Sequence, residues 1–109
     1  MFLPNQIEFN GESGRIYTTE VYSKSAQLPD TVGVFILTYS HPRGHLSGFQ
    51  VNVLHMGIAN NLNSVIADLR QDESLLKECW NYSCIMRLDT LTQCSEYVED
   101  LKTVKCTQC

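Results

Sequence analysis

The sequence predicts a small α/β (α+β) domain, in which a mixed or antiparallel sheet is covered by helices. Residues 15–23, 32–39 and 49–56 are rich in β-branched and aromatic side chains, as strands are. Apolar residues then recur at helical spacing, at Leu62, Val65, Ile66 and Leu69. A short helix, a strand and a last helix follow, so the predicted order is β-β-β-α-α-β-α. One sheet with helices packed on it buries the apolar sides of all these elements.

The composition fits a single folded domain spanning residues 1–109. The chain is 43% hydrophobic, and its 8 Lys and Arg against 12 Asp and Glu give a net charge of -4. This balance weighs against a strong phosphate binder, because nucleic-acid affinity comes largely from cation–phosphate attraction. No apolar stretch approaches the roughly 20 residues that span a bilayer, so no membrane partner is expected. Five cysteines without a recognisable export signal indicate reduced thiols and a cytoplasmic location.

The strands are predicted from their residue patterns. Residues 15–23 alternate, whereas residues 32–39 form a continuous run that suits a central strand buried on both faces. The polar connection over residues 41–48 is short, which favours an antiparallel hairpin with residues 49–56. On that last strand, four side chains are predicted to share one face: Phe49, Val51, Val53 and His55.

The helices are predicted from capping residues and apolar stripes. Asn60 or Asn61 caps the first helix, and Asp72 caps a short second helix. The inward residues of that second helix are expected to be Leu75, Leu76, Cys79 and Trp80. Residues 83–88 return to strand composition. Thr90 and Gln93 then fit a capping box that opens the last helix. The apolar face of this helix is expected to contain Leu91, Cys94, Val98 and Leu101.

Two tripeptides and the helix after them carry a resemblance to a known family. Gly33-Val34-Phe35 lies on one strand, and His55-Met56-Gly57 closes the next before a capped helix begins. Over about residues 30–104 this layout resembles the GIY-YIG nuclease domain. The resemblance implies cleavage of phosphodiester bonds with a tyrosine in each tripeptide and an arginine on the first helix. It also implies a glutamate on the last helix that holds one divalent metal.

The positions equivalent to the family's catalytic residues carry other side chains. Phe35 and His55 occupy the two tyrosine positions, and the arginine position falls on Val65, with Arg70 lying beyond the apolar stripe. The metal position falls on Glu96 or Glu99, since the register of the helix is open. Losing one transition-state donor typically slows a reaction about 10²–10³-fold. With a hydroxyl and a cation both replaced, no catalytic residue, metal or other cofactor is expected.

The sequence therefore predicts a non-catalytic interaction or regulatory domain whose partner is a protein, with a nucleic acid as the less favoured alternative. Its oligomeric state is left open. The candidate binding residues lie in the 41–48 loop and around the former active site: His41, Arg43, His45, His55, Gly57 and Arg70. The alternative is a divergent endonuclease that uses Mg²⁺ or Mn²⁺ with His55 and one of the two glutamates.

A third possibility concerns the C-terminal thiols. Cys106-Thr107-Gln108-Cys109 forms a CxxC pair, which supplies half of the four ligands of a usual structural zinc site. A small zinc or thiol protein using Cys106 and Cys109 is therefore the weakest of the three hypotheses.

Overall fold

Six strands form one antiparallel sheet in the computed structural model, which describes residues 6–42, 49–101 and 105–106. The strands are β1 Gln6–Asn10, β2 Ile16–Ser23, β3 Gly33–Pro42, β4 Phe49–Ala59, β5 Tyr82–Arg87 and β6 Lys105–Cys106. Their order across the sheet is β4-β3-β5-β2-β1-β6, and all pairs are antiparallel. The helices are α1 Leu62–Leu69, α2 Glu73–Lys77 and α3 Leu91–Asp100. The predicted α+β fold class is confirmed.

The structure adds β1 and β6 to the predicted elements. β1 has five residues, and its inward side chains Ile7 and Phe9 are fully buried. These face Thr19 and Tyr17 on β2, so β1 is defined by its pairing partner rather than by a long pattern of its own. β6 has two residues, which pair with Phe9 and Asn10. A segment this short has no periodicity that sequence inspection could detect.

The sheet separates two apolar clusters. On the α3 face, Cys94 of α3 and its C-cap Leu101 pack with side chains from five strands: Ile7, Phe9, Tyr17, Val34, Ile36, Val51, Cys84 and Met86. On the α1 face, Leu62 and Ile66 of α1 pack with Leu28, Phe35, Leu37, Ala59, Leu75, Trp80 and Ile85. Residues 33–38 of β3 are buried throughout, which confirms the predicted central strand.

A β-bulge changes which side chains of β4 share a face. Leu37 pairs with His55, but Thr38 pairs with Val53, so Leu54 is an extra residue on β4. Because alternation has a period of two, one extra residue moves the following side chains to the opposite face. Val53 therefore packs on the α3 face, whereas His55 lies beside Phe35 on the α1 face. The prediction that His55 shares a face with Val51 and Val53 is wrong for this reason.

The helix caps follow the predicted residues. The Asn61 side chain accepts a hydrogen bond from the Ser64 N–H at 3.0 Å, and Asp72 accepts from the N–H of Ser74 at 2.9 Å. Thr90 accepts from the Gln93 N–H at 3.2 Å. The Gln93 side chain, however, accepts from the N–H of Asp89, one residue before the position that a capping box would use.

Two predicted core positions are wrong. α2 ends at Lys77, and Cys79 follows it in a left-handed conformation (φ 65°) with its side chain exposed. Leu91 begins α3 and is 50% exposed, so the buried stripe of that helix starts at Cys94. Within the described part of the chain, no helix is long and apolar enough to cross a membrane.

Candidate functional site

The two tripeptides lie side by side on β3 and β4. Phe35 pairs with Gly57, and Leu37 pairs with His55. α1 begins shortly after β4, and its cap Asn61 follows Gly57 by four residues. The hairpin thus brings Phe35 and Gly57 together on the α1 face, near the N-terminus of that helix.

The Phe35 ring lies between the two tripeptides on the α1 face of the sheet. Phe35 is 3% exposed, and its ring lies against the backbone of Gly57, so a Cβ built on Gly57 would be 2.6 Å from Phe35 Cζ. The His55 ring, which is exposed, lies with its centroid 5.8 Å from the Phe35 centroid. Gly57 is therefore required by a buried hydrocarbon ring, and His55 is the titratable side chain that reaches solvent beside it.

The candidates on and after α1 have structural contacts. Val65 is partly buried and packs against the α1-face cluster. Arg70 ends the helix, and its guanidinium donates Nε–H to the carbonyl of Lys24 at 2.7 Å and Nη2–H to that of Ala26. Arg70 thus fastens residues 24–26 to the end of α1 by charge-assisted hydrogen bonds.

The two candidate metal ligands belong to the other layer. Glu96 and Glu99 are exposed on α3, which packs on the opposite face of the sheet from α1. The sheet therefore lies between the helix that carries these glutamates and the helix that carries Val65. Among residues 6–42, 49–101 and 105–106, no three His, Cys, Asp or Glu side chains form a group that could hold a metal ion.

Several predicted residues are placed only in part or lie outside the described residues. His41 is on β3 opposite Gln50, and Cys106 is on β6 opposite Phe9. Arg43, His45 and Cys109 lie outside the described residues.

The outer edge of β4 is a feature that sequence analysis missed. β4 is the terminal strand of the sheet and pairs with β3, while no described strand lies on its other side. Its eleven residues include no Asp, Glu, Lys, Arg or Pro. Ile58 near its end is 38% exposed, and His55 is exposed as well. The uncharged run 49–59 was the available signal, because charges and prolines are what usually protect an edge strand.

A second site lies where β2 and β5 stop pairing. The β2–β5 ladder covers Glu20–Ser23, and over the described residues the earlier part of β2 pairs with β1 but not with β5. A cavity of about 300 Å³ occupies the gap, lined among others by Arg15, Glu20, Arg87 and Tyr97. We call this gap the β2–β5 cleft. Its residues come from three separate segments, so no local motif indicates it.

The two arginines of the cleft differ in their partners. Arg87 makes a two-point ion pair with Glu20, with Nε–Oε2 and Nη2–Oε1 distances of 2.8 and 2.6 Å. Arg15 donates to the Tyr97 hydroxyl at 3.1 Å, and its guanidinium carbon lies 4.9 Å from the ring centroids of both Tyr17 and Tyr97. The Arg15 charge is thus held in place by neutral aromatic rings.

Asp100 connects this cleft to the turn between β1 and β2. Its carboxylate accepts hydrogen bonds from the Tyr17 hydroxyl at 2.6 Å and from the Ser13 N–H and hydroxyl at 2.8 and 2.7 Å. These bonds, the one from Tyr17 above all, hold the pKa of Asp100 below its usual value. Burial first, and then the bond to Asp100, raises the pKa of Tyr17.

Replacing Asp100 by asparagine is expected to destabilise the fold in a pH-dependent way. Because the pKa of Asp100 is lower in the folded state than the unfolded value of about 3.9, its stabilisation is complete above that value. It is lost as the pH falls through the folded-state pKa. The difference in melting temperature between wild type and Asp100→Asn should therefore be large at pH 7 and should shrink at pH 3.

Glu96→Gln is the matched control, since it makes the same chemical change at an exposed position of the same helix. A difference between wild type and Asp100→Asn that stays constant from pH 7 to pH 3, or that equals the effect of Glu96→Gln, would contradict the assignment.

Together, the fold and these sites define a small α+β domain with one antiparallel sheet between two helical layers. Compared with protein-family models, curated proteins and solved structures, the chain has no significant match. The GIY-YIG resemblance stays a prediction.

Proposed function

We propose that this chain is a non-catalytic interaction domain on a GIY-YIG-like scaffold, and that it binds an extended segment of a partner protein along the outer edge of β4. The single observation that carries the first part is the packing of Phe35 over Gly57. The place where the family resemblance implies a tyrosine hydroxyl holds a ring that is 3% exposed and that has no group to move a proton.

The neighbouring positions support the same conclusion. Val65 offers no charge to a developing phosphoryl oxyanion, and the guanidinium of Arg70 is bound to the carbonyls of residues 24 and 26. The candidate metal ligands Glu96 and Glu99 are on the helix of the opposite face. Beside the Phe35 ring, His55 has an exposed titratable group.

The chemistry of β4 favours a polypeptide partner. A strand at the end of a sheet offers backbone N–H and C=O groups that an added strand can pair with, and side chains on alternate positions then give specificity. The exposed part of β4 presents Ile58 and His55 and has no Lys or Arg that would attract phosphates. In a chain of net charge -4, this edge suits an uncharged, partly apolar segment of another protein.

A cleavage assay tests the non-catalytic part. Purified protein is incubated with supercoiled DNA and with single-stranded RNA, in Mg²⁺, in Mn²⁺ and in EDTA, and no cleavage is expected in any condition. Metal-dependent cleavage that is lost in His55→Ala and in Glu96→Gln or Glu99→Gln would overturn it and establish the endonuclease alternative.

A peptide selection tests the binding edge. Displayed linear 12-residue peptides are selected on wild-type protein, and the binders are measured against Ile58→Lys and Leu91→Lys. Both variants place a lysine at an exposed apolar position, but only Ile58 lies on β4. Because a charge on an edge strand opposes strand addition, we expect affinity to fall at least tenfold in Ile58→Lys alone.

Equal binding by the two variants would show that the selected peptides bind elsewhere. Light scattering on the same samples gives the remaining outcome: a dimer that Ile58→Lys dissociates would identify the occupant of β4 as a second copy of the chain and would overturn the assignment to another protein.

A further inference from the structure

We propose that the β2–β5 cleft is a binding site for an amphipathic monocarboxylate, whose carboxylate is held by Arg15. This site is independent of the β4 edge, since it lies between β5 and β2 on the other side of β3. Its ligand is an anion with a short apolar tail, such as a small free acid or the C-terminus of a polypeptide.

The cleft has the size and the walls that such a ligand needs. Its volume of about 300 Å³ is at the lower end of the range for small-molecule sites. Ile16 at its lining is 56% exposed, and the side chains of Ile85 and Met86 beside the gap are buried in the two apolar clusters. An apolar side chain this exposed, next to buried apolar neighbours, leaves surface that the tail of a ligand can cover.

The charges of the cleft select an anion with one negative charge. The lining contains two arginines and one glutamate, and Arg87 with Glu20 already forms a neutral pair. Among the described residues, Arg15 has no carboxylate within 4.0 Å, and its hydrogen bond goes to the Tyr97 hydroxyl. A guanidinium has five N–H donors, so donors remain for the two oxygens of a carboxylate.

Two nearby carboxylates limit the charge that can bind. Glu20 lines the cleft, and Asp100 lies close enough to Arg15 for the arginine to lower its pKa. The oxygens of Asp100 already accept from Tyr17 and Ser13, as described above. Because Arg87 neutralises Glu20, the charges that remain beside the cleft are those of Arg15 and Asp100, and a phosphate dianion would add two negative charges to them where a monocarboxylate adds one.

The position of Arg15 is fixed before a ligand arrives. Its guanidinium lies over Tyr17 and Tyr97, whose ring centroids are 4.9 Å apart. Tyr17 is buried, and its hydroxyl donates a hydrogen bond to Asp100 on α3, so the tyrosine ring under Arg15 is held in one position. A side chain held in this way loses little conformational freedom on binding, which favours the complex.

The test is a nuclear magnetic resonance titration of the full chain with three probes. N-acetyl-leucine imitates a polypeptide C-terminus, 4-methylpentanoate is the free acid with the same apolar tail, and N-acetyl-leucinamide lacks the charge. We expect the acids to shift the amide signals of Ile16, Ile85 and Tyr97 with a Kd of about 1 mM, the affinity of a ligand of about ten heavy atoms. The amide should bind at least tenfold more weakly.

Two variants test whether Arg15 binds the carboxylate. Arg15→Gln should weaken binding of the acids at least tenfold, and Lys77→Gln should leave it unchanged. Lys77 is exposed on α2, so its replacement removes the same charge from another part of the surface. Because Arg15 also packs on two tyrosines, Ile16→Asp is a second variant that leaves Arg15 intact and places a competing carboxylate at the lining of the cleft; it should weaken binding as well.

Each outcome decides the proposal. The proposal is overturned if N-acetyl-leucine and its amide bind with equal affinity, or if the affinity for the acids is unchanged in both Arg15→Gln and Ile16→Asp. It is also overturned if the shifted signals belong only to residues outside the cleft. A preference for N-acetyl-leucine over 4-methylpentanoate supports a polypeptide C-terminus as the natural source, and the reverse preference supports a free acid.

Discussion

Replacing Gly33 by alanine is expected to lower the free energy of unfolding by about 3 kcal/mol. A Cβ at this position would be 2.3 Å from the backbone carbonyl oxygen of Met86 and 2.8 Å from Leu62 Cδ1. β3 is hydrogen-bonded to a strand on each side, so its backbone cannot move away without breaking one of the two ladders. Urea unfolding followed by circular dichroism measures the loss.

Two comparisons separate the clash from other effects of alanine. Gly14 has φ +89° and no atom within 4 Å of a built Cβ, so Gly14→Ala should lose about 1–2 kcal/mol from backbone strain alone. Adding Leu62→Ala to Gly33→Ala should not restore stability, because the Met86 carbonyl remains. A smaller loss for Gly33→Ala than for Gly14→Ala would show that β3 and β5 can separate at this point.

The second large effect concerns Phe35 and Gly57 together. Phe35→Ala removes a ring from the α1-face cluster and should cost about 3–5 kcal/mol. Gly57→Ala forces its Cβ to within 2.6 Å of the end of the same ring and should cost about 1–3 kcal/mol. The double variant should lose less than the two single losses combined, by at least about 1 kcal/mol, because the new Cβ enters space that the ring has left.

The measurement is a double-mutant cycle by urea unfolding. Phe35→Ala with Gly14→Ala is the control cycle, since Gly14 has no contact with the ring and its effect should add. Additive losses for Phe35 and Gly57 would mean that the ring already avoids Gly57, and Phe35 would then not be the residue that requires a glycine at position 57.

Features set by neighbours in sequence could be predicted from the sequence. The caps at Asn61, Asp72 and Thr90 were predicted because a cap is a hydrogen bond between residues two or three apart. The burial of β3 on both faces was predicted because a continuous apolar run has few other placements.

Features set by distant pairing could not be predicted. The bulge at Leu54 depends on how β4 meets β3, and it reversed the face of His55. Cys79 is exposed because α2 already ends at Lys77, so the helical spacing that predicted its burial does not reach it. The β2–β5 cleft exists because one ladder ends at Glu20, a fact of tertiary pairing that no local pattern contains.

The bonds of Asp100 also have a consequence for the order in which the chain can fold during synthesis. The turn after β1 is joined to the end of α3 across 87 residues, through Ser13 and through the Glu12 N–H bond to the Asp100 carbonyl. β2 in turn pairs with β5, whose residues are made some sixty positions later. β1 and β2 therefore cannot complete their packing until β5 and α3, which are translated later, have been made. Such long-range closure slows folding, so a nascent chain stalled before α3 should hold its first hairpin accessible to chaperones and proteases.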